Sequence, residues 1–392
     1  MSAEVSATIG HEAAGIRHEG ELATGERRRA RWRIREEQVM AATINAARAW
    51  WTYKYNRLLH ETGNVVGRSM GKATDVWIKI THRCETRCQM CNIWKTPNRL
   101  ADELTTEEWK AVLDDLRSWL GPYRVSFIGG EPFARKDLID LFAYCTKIGL
   151  STAVITRGVG VGSREIAKRV IDSGLGEYHV SIEGLRPEIH DHVIPPKGSL
   201  GKALDGLQWL NELRMSEESP MKIVIKTIIM GFNKAEILPI VDWVMENRFD
   251  EIKFQPIEQT IEEEEDPAWY RRSELWPQDR EAVERVVEII DELIRRRRAG
   301  VPIHNPETSL ENARRYFLDP EAMYRPVKQH ILETYETTHE RNDGWMEIWH
   351  DGNVHTSWKK PPIGNVRGRS IRDVWRQRPH PHRVVRVFGL LR

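Results

Sequence analysis

Apolar residues fall in short continuous runs separated by longer amphipathic stretches, and this rhythm repeats through the middle of the chain. The runs 76–80, 123–128, 151–155, 178–182, 223–229 and 251–254 read as strands buried on both faces. Between them, the stretches 107–120, 138–148, 164–173, 202–214 and 236–247 set apolar residues three and four apart, which is the spacing of one helix face. Strand alternating with helix predicts a parallel sheet with helices outside it. The expected fold class is α/β, a partial TIM barrel of (β/α)6 form spanning residues 74–300. In barrels the chemistry sits at the carboxyl ends of the strands, so those ends are where candidate residues carry most weight.

The flanks follow other patterns. Residues 1–25 are rich in Gly, Ala and Glu without a period and are expected to be disordered. Residues 26–73 read as a helical extension, with six arginines within 27–35 and Met40, Ile44, Ala47, Trp51, Tyr55 and Leu58 on one stripe up to Gly63. The arginines can grip an anionic partner or a leader peptide, but a solvated helix face explains them too. Trp50 and Trp51 fit the same helix. Beyond the sixth strand, four consecutive glutamates between Glu258 and Asp266 mark a mobile loop. A helix after Pro277 follows, with Ala282, Val286, Ile289 and Leu293 on one face. Its terminal arginines 295–298 suit the negative end of the helix dipole. Residues 301–392 are expected to form a small α+β module: a hairpin signal over 345–358 turns at Asp351-Gly352-Asn353, and a short helix covers 371–376.

Composition narrows the class. With 392 residues, 40% of them hydrophobic and 30% charged, the chain can bury a large core. A net charge of +1 gives no case for a general nucleic-acid binder. Neither a membrane-spanning apolar run nor a signal-peptide pattern at Met1 is found, so no membrane partner is expected. Four cysteines, three of them clustered, point to a reducing cytoplasm and away from a disulfide framework.

Those three are Cys84, Cys88 and Cys91, directly after the first strand. Their i, i+4, i+7 spacing is also a helical stripe, but a buried strand precedes them and the fourth cysteine, Cys145, sits alone in a helix as a core residue. Thiolates suit soft metals, and three on one loop can wrap one face of an iron–sulfur cubane while leaving one iron open. Zinc is the rival and would borrow a ligand such as His82, since no second cysteine pair exists. After the second strand, Gly129-Gly130-Glu131-Pro132 lets backbone approach a ligand closely, and Glu131 can accept from an ammonium group. An ordinary tight turn is the bland reading.

Taken together, Cys84-x3-Cys88-x2-Cys91 and Gly129-Gly130-Glu131-Pro132 resemble the motifs of the radical S-adenosylmethionine (radical SAM) enzymes. The resemblance implies that the three thiolates hold a [4Fe–4S] cluster whose fourth iron binds the amino and carboxylate groups of S-adenosylmethionine. An electron from the cluster then cleaves the cofactor to methionine and a 5′-deoxyadenosyl radical, which takes hydrogen from a substrate. It also implies that residues 129–132 meet the methionyl group and that Ser181 and Glu183, in a Ser-x-Glu-Gly segment, meet the ribose. Met90 stands where relatives often have an aromatic residue, and is expected to pack on the adenine. At Thr156-Arg157-Gly158 relatives often have Thr-Asn-Gly; Arg157 can reach a carboxylate or phosphate of the substrate or lie on the surface. Lys226 can meet the cofactor carboxylate or a neighbouring acid, and Gln255 the substrate. His190, Asp191 and His192 read as a polar loop.

The 345–376 region is similar to the SPASM or twitch extension of such enzymes but lacks the auxiliary-cluster cysteines, Ser357 standing about where one is expected. His355 is read as a hairpin side chain. The expectation is therefore a single-cluster enzyme fed by an electron donor such as flavodoxin or ferredoxin, with a small-molecule natural product as first substrate choice. A ribosomal peptide is the runner-up. A non-catalytic iron–sulfur or zinc protein is the reading of a different class.

Overall fold

The computed structural model describes residues 54–56, 58–60, 62, 70–96, 100–260, 263–324, 344–357 and 360–378. By compactness the chain divides into residues 1–59 and 60–392. In the first unit, residues 54–56 and 58–59 are helical. The expected tail 1–25, the arginine run 27–35 and Trp50 with Trp51 lie outside the described residues.

The second unit is built on β1 (Asp75–Thr81), β2 (Arg124–Gly129), β3 (Ser151–Thr156), β4 (Glu177–Ser181), β5 (Lys222–Ile229) and β6 (Glu251–Pro256). All five neighbouring pairs among them are parallel, in sequence order. Helices α1 (Thr106–Leu120), α2 (Leu138–Ile148), α3 (Arg164–Asp172), α4 (Pro187–Val193), α5 (Ser199–Ser216) and α6 (Ile237–Glu246) connect them. Two-residue alternation explains both faces of each strand. On β1, Val76, Ile78 and Ile80 are buried against the helix layer while Asp75, Trp77 and Lys79 are only half-buried. The helix side packs by shape: Phe127 meets Phe142 edge-on with ring centroids 5.3 Å apart. Helix α1 starts where it does because Thr105 and Glu108 form a capping box.

The structure adds features that the pattern did not give. His190, Asp191 and His192 lie on a helix, α4, and not in a loop; Pro187 opens it at a position where a missing N–H costs nothing. The free edge of β6 is covered by residues 302–305. Ile252 N–H donates to the Pro302 carbonyl (3.0 Å), and the Asn305 side chain accepts from Phe254 N–H (2.7 Å) and donates to its carbonyl (2.8 Å). Helices α7 (Arg280–Arg298) and α8 (Glu307–Leu318) follow, with Phe317 stacked on Trp276 at 4.9 Å. The C-terminal hairpin joins the barrel sheet itself. Strand β7 (Trp345–Trp349) pairs parallel with β1, and β8 (Asn353–His355) and β9 (Gly364–Asn365) continue antiparallel, giving the order β6-β5-β4-β3-β2-β1-β7-β8-β9. Helix α9 (Ile371–Arg376) closes this end, its Trp375 indole donating to the Gly71 carbonyl at 2.8 Å. No helix among the described residues is long and apolar enough to cross a membrane.

Candidate active site

At the carboxyl ends of β1 and β2 two backbones lie on top of one another. Gly130 N–H donates to the Thr81 carbonyl (2.8 Å) and Glu131 N–H to the Arg83 carbonyl (2.9 Å). A Cβ on Gly129 would sit 2.2 Å from Thr81 O, and one on Gly130 2.4 Å from Arg83 O; Gly129 also has φ +151°. Both glycines are thus required by the chain that leads into the cysteines, whatever else approaches them. Beneath this crossing the buried Glu103 accepts from Thr81 Oγ1 (2.5 Å) and pairs with Arg83 (3.0 Å) and Arg135 (3.5 Å). Nothing in its local sequence marks Glu103 out, because its partners come from distant segments.

Beyond the crossing, Cys84, Cys88 and Cys91 are all half-buried. Thr86 Oγ1 lies 3.0 Å from Cys84 Sγ and 3.4 Å from Cys88 Sγ, and Cys91 N–H donates to the Cys88 carbonyl at 3.1 Å. Burial pushes the Cys88 thiol up to about 11, and the Cys84 and Cys91 thiols add to the effect, against the Thr86 hydrogen bond and the Arg157 charge. A Cys88 thiol that resists ionisation on its own, with two further thiols on the same loop, is a donor set suited to a soft cation, which takes such groups as thiolates. No three His, Cys, Asp or Glu side chains among the described residues converge on a single ion. A cubane asks for less convergence, since each thiolate takes its own iron. Cys145 is fully buried, its thiol pushed up to about 12 by that burial, as befits a core residue.

Other elements hold the loop down. Gln89 donates from its backbone to the Val193 carbonyl (3.2 Å) and from its side chain to the His192 carbonyl (3.0 Å), while His192 stacks on Phe232 at 4.5 Å. Asn92 donates to Glu263 at 2.6 Å. Met90 is half-buried against the apolar core. His82 packs away into the C-terminal hairpin, edge-on to Trp349 (5.1 Å) and tilted over His350 (4.2 Å). Burial, with His350, Lys79 and His355 nearby, pushes its imidazole down to about 3. His355 stacks on Trp349 at 4.0 Å, so it is a hairpin packing residue.

Glu131 is buried and turned toward β3. Its carboxylate accepts from Thr156 Oγ1 (2.6 Å), Phe133 N–H (3.1 Å) and Arg157 N–H (3.2 Å), and lies 3.3 Å from the Arg157 guanidinium. The ammonium acceptor read from the sequence is therefore already surrounded by protein donors. Arg157 is buried, not superficial, and bridges Glu131 to Glu85 inside the cysteine loop. Ser181 is half-buried at the end of β4, in register with Lys226 on β5. Glu183 is buried and accepts from Ile228 N–H at 2.8 Å; burial pushes its carboxyl up to about 8. Burial, aided by Lys253, pushes Lys226 down to about 8. Gln255 is exposed. His190, Asp191 and His192 part company: His190 accepts from Glu183 N–H (3.2 Å) and Asp191 from Leu200 N–H (2.8 Å), leaving His192 to Gln89.

Known proteins resemble this chain in sequence and in fold. Residues 78–244 match the family model described as the radical SAM superfamily. A PqqA peptide cyclase of Rhodopseudomonas palustris is 38% identical over 156 residues, which is 40% of this chain and 41% of that protein. The Fe-coproporphyrin III synthase of Methanosarcina barkeri is 28% identical over 318 residues, 78% of this chain and 73% of that one. The chain thus aligns with only about two fifths of the peptide cyclase. Among solved structures, Streptococcus suis SuiB bound to S-adenosylmethionine gives a TM-score of 0.56 at 16% identity, over 81% of this chain and 68% of that one. Native anSMEcpe with bound AdoMet gives 0.54 at 12% identity, over 79% and 81%. At these identities the two structures speak for the fold, a partial barrel.

Proposed function

With residues 78–244 forming a radical SAM domain, whose cofactors are a [4Fe–4S] cluster and S-adenosylmethionine, we propose that the chain is an enzyme in which Cys84, Cys88 and Cys91 hold that cluster. The observation that carries this is the trio of half-buried thiols, two of them beside Thr86 Oγ1, on a loop hydrogen-bonded to Gly130 and Glu131. When bound, the pair supplies a one-electron cleavage that yields a radical able to abstract hydrogen. Everything else falls to the protein. Residues 129–132 line the place of the methionyl group, and Glu131 positions their turn through Thr156 and Arg157. Ser181 and Glu183 take the ribose hydroxyls, Glu183 holding its proton near neutral pH because its site is dry. Met90 packs on the adenine. Gln89, Asn92 and their partners hold the loop closed against water.

For the substrate, a peptide takes precedence over a small molecule: two relatives that are 38% identical over parts of this chain are named for peptide cyclisation. The small-molecule reading has its own support, because the alignment covering most of both chains is with a tetrapyrrole enzyme. The 345–376 region serves as a twitch-like module without a cluster of its own, and the electron comes from an external donor.

Anaerobic reconstitution with iron and sulfide, followed by dithionite and S-adenosylmethionine, should release 5′-deoxyadenosine, measured by chromatography. Cys88→Ala should bring it to background. Turnover surviving in that variant would defeat the cluster assignment.

A further inference from the structure

The cysteine loop and the turn after it carry a partly exposed patch that the proposed chemistry leaves unused. Trp94 is half-buried, and its indole N–H donates to the Cys91 carbonyl at 2.8 Å. Two exposed cations flank its ring, Arg87 at 5.6 Å and Lys95 at 5.3 Å from the ring centroid. Among the described residues neither cation has a carboxylate within ion-pairing distance. The acids nearby are engaged elsewhere: Glu85 by Arg157, Glu103 by Arg83 and Arg135, and Glu263 by Asn92.

We propose that Arg87, Trp94 and Lys95 form the docking surface for an electron-donor protein with an acidic face around its redox centre. The inference rests on the cluster assignment above. Electron transfer through protein falls off steeply with distance, so a donor must seat close to the thiolates, and Trp94 is one hydrogen bond from the backbone of Cys91. The three residues belong to the cysteine loop and its first turn, and both cations are exposed to a partner in solution. Exposed cations steer an acidic partner and set its orientation, while the tryptophan supplies apolar area that needs no matching charge.

The test uses the full reconstituted chain and two reductants, a reduced flavodoxin as the acidic protein donor and dithionite as a small one. Cluster reduction is followed by loss of visible absorbance and by electron paramagnetic resonance. In the double variant Arg87→Glu/Lys95→Glu the flavodoxin-driven rate should drop by about ten-fold or more at low salt, with the gap closing as ionic strength rises. Dithionite reduction and cluster content should stay as in the parent chain. An unchanged flavodoxin rate overturns the docking surface, as does an equal loss with dithionite, which would make the residues part of the cluster's own support. A parent chain that binds no cluster fails the function itself, a different result from either.

Discussion

The two ends of the barrel treat charge in opposite ways. At the amino ends of the strands the carboxylates are met by partners: Arg124 lies 2.8 Å from Glu177 and Lys222 3.2 Å from Glu251, with the rings of His179 (2.8 Å) and His304 (2.5 Å) against the same two groups. His179 and Arg124 hold the Glu177 carboxyl down at about 2, even though partial burial opposes them. At the carboxyl ends, beside the pairs that Arg157 makes with Glu131 and Glu85, three groups are shifted chiefly by dryness: the Cys88 thiol and the Glu183 carboxyl upward, Lys226 downward. A floor that answers its own charges can only stabilise. A mouth that leaves them partly unanswered is prepared for something to arrive.

That contrast can be broken at three points. The largest effect should come from the crossing under the mouth. Gly130→Ala drives a methyl toward Arg83 O, where the distance would be 2.4 Å. Backbone must then move, at a cost of about 1–3 kcal/mol, and iron per chain after reconstitution should fall sharply. Full iron loading in this variant would show that the cysteine loop does not depend on the crossing.

The second point is Glu183. Its folded carboxyl titrates at about 8 against 4.5 unfolded, so its contribution is greatest below 4.5 and is lost as pH rises through 8. Lys226, lowered to about 8, acts in the opposite sense and only above that value. Between pH 6 and 8 the ligand-free chain should therefore lose about 2 kcal/mol through this group, and Glu183→Gln should flatten that slope in urea titrations. A slope equal in the two chains would remove Glu183 as its source.

The smallest effect belongs to the floor. Arg124 is about half exposed, so Arg124→Gln should cost less than about 1 kcal/mol and leave iron content and 5′-deoxyadenosine formation alone. A large loss of either would erase the distinction between the two ends.

How far the sequence could be read follows from where each determinant lies. The six barrel strands were legible because doubly buried strands are continuous apolar runs, and the cysteine and glycine motifs because they are local. Gly129 and Gly130 announced a close approach without saying that Thr81 and Arg83 were what came close. Helix α4 was hidden by its shortness and by a polar surface that looked like a loop. Glu103, the burial of Arg157, the packing of His82 into the hairpin and the cover over β6 depend on partners far away in sequence, and no local pattern encodes them.

The parallel pairing of β7 with β1 also bears on how the molecule is made. Strand β1, which leads directly into the cysteine loop, gains β2 as a neighbour early but cannot gain β7 until residues 345–349 have left the ribosome. His350 and Trp349, against which His82 packs, arrive at the same late moment. Because distant pairings form slowly, a nascent chain would carry its three thiols on an incompletely seated loop for most of its synthesis. A cluster on those thiols would then be best loaded as a last step, once β7 has joined β1.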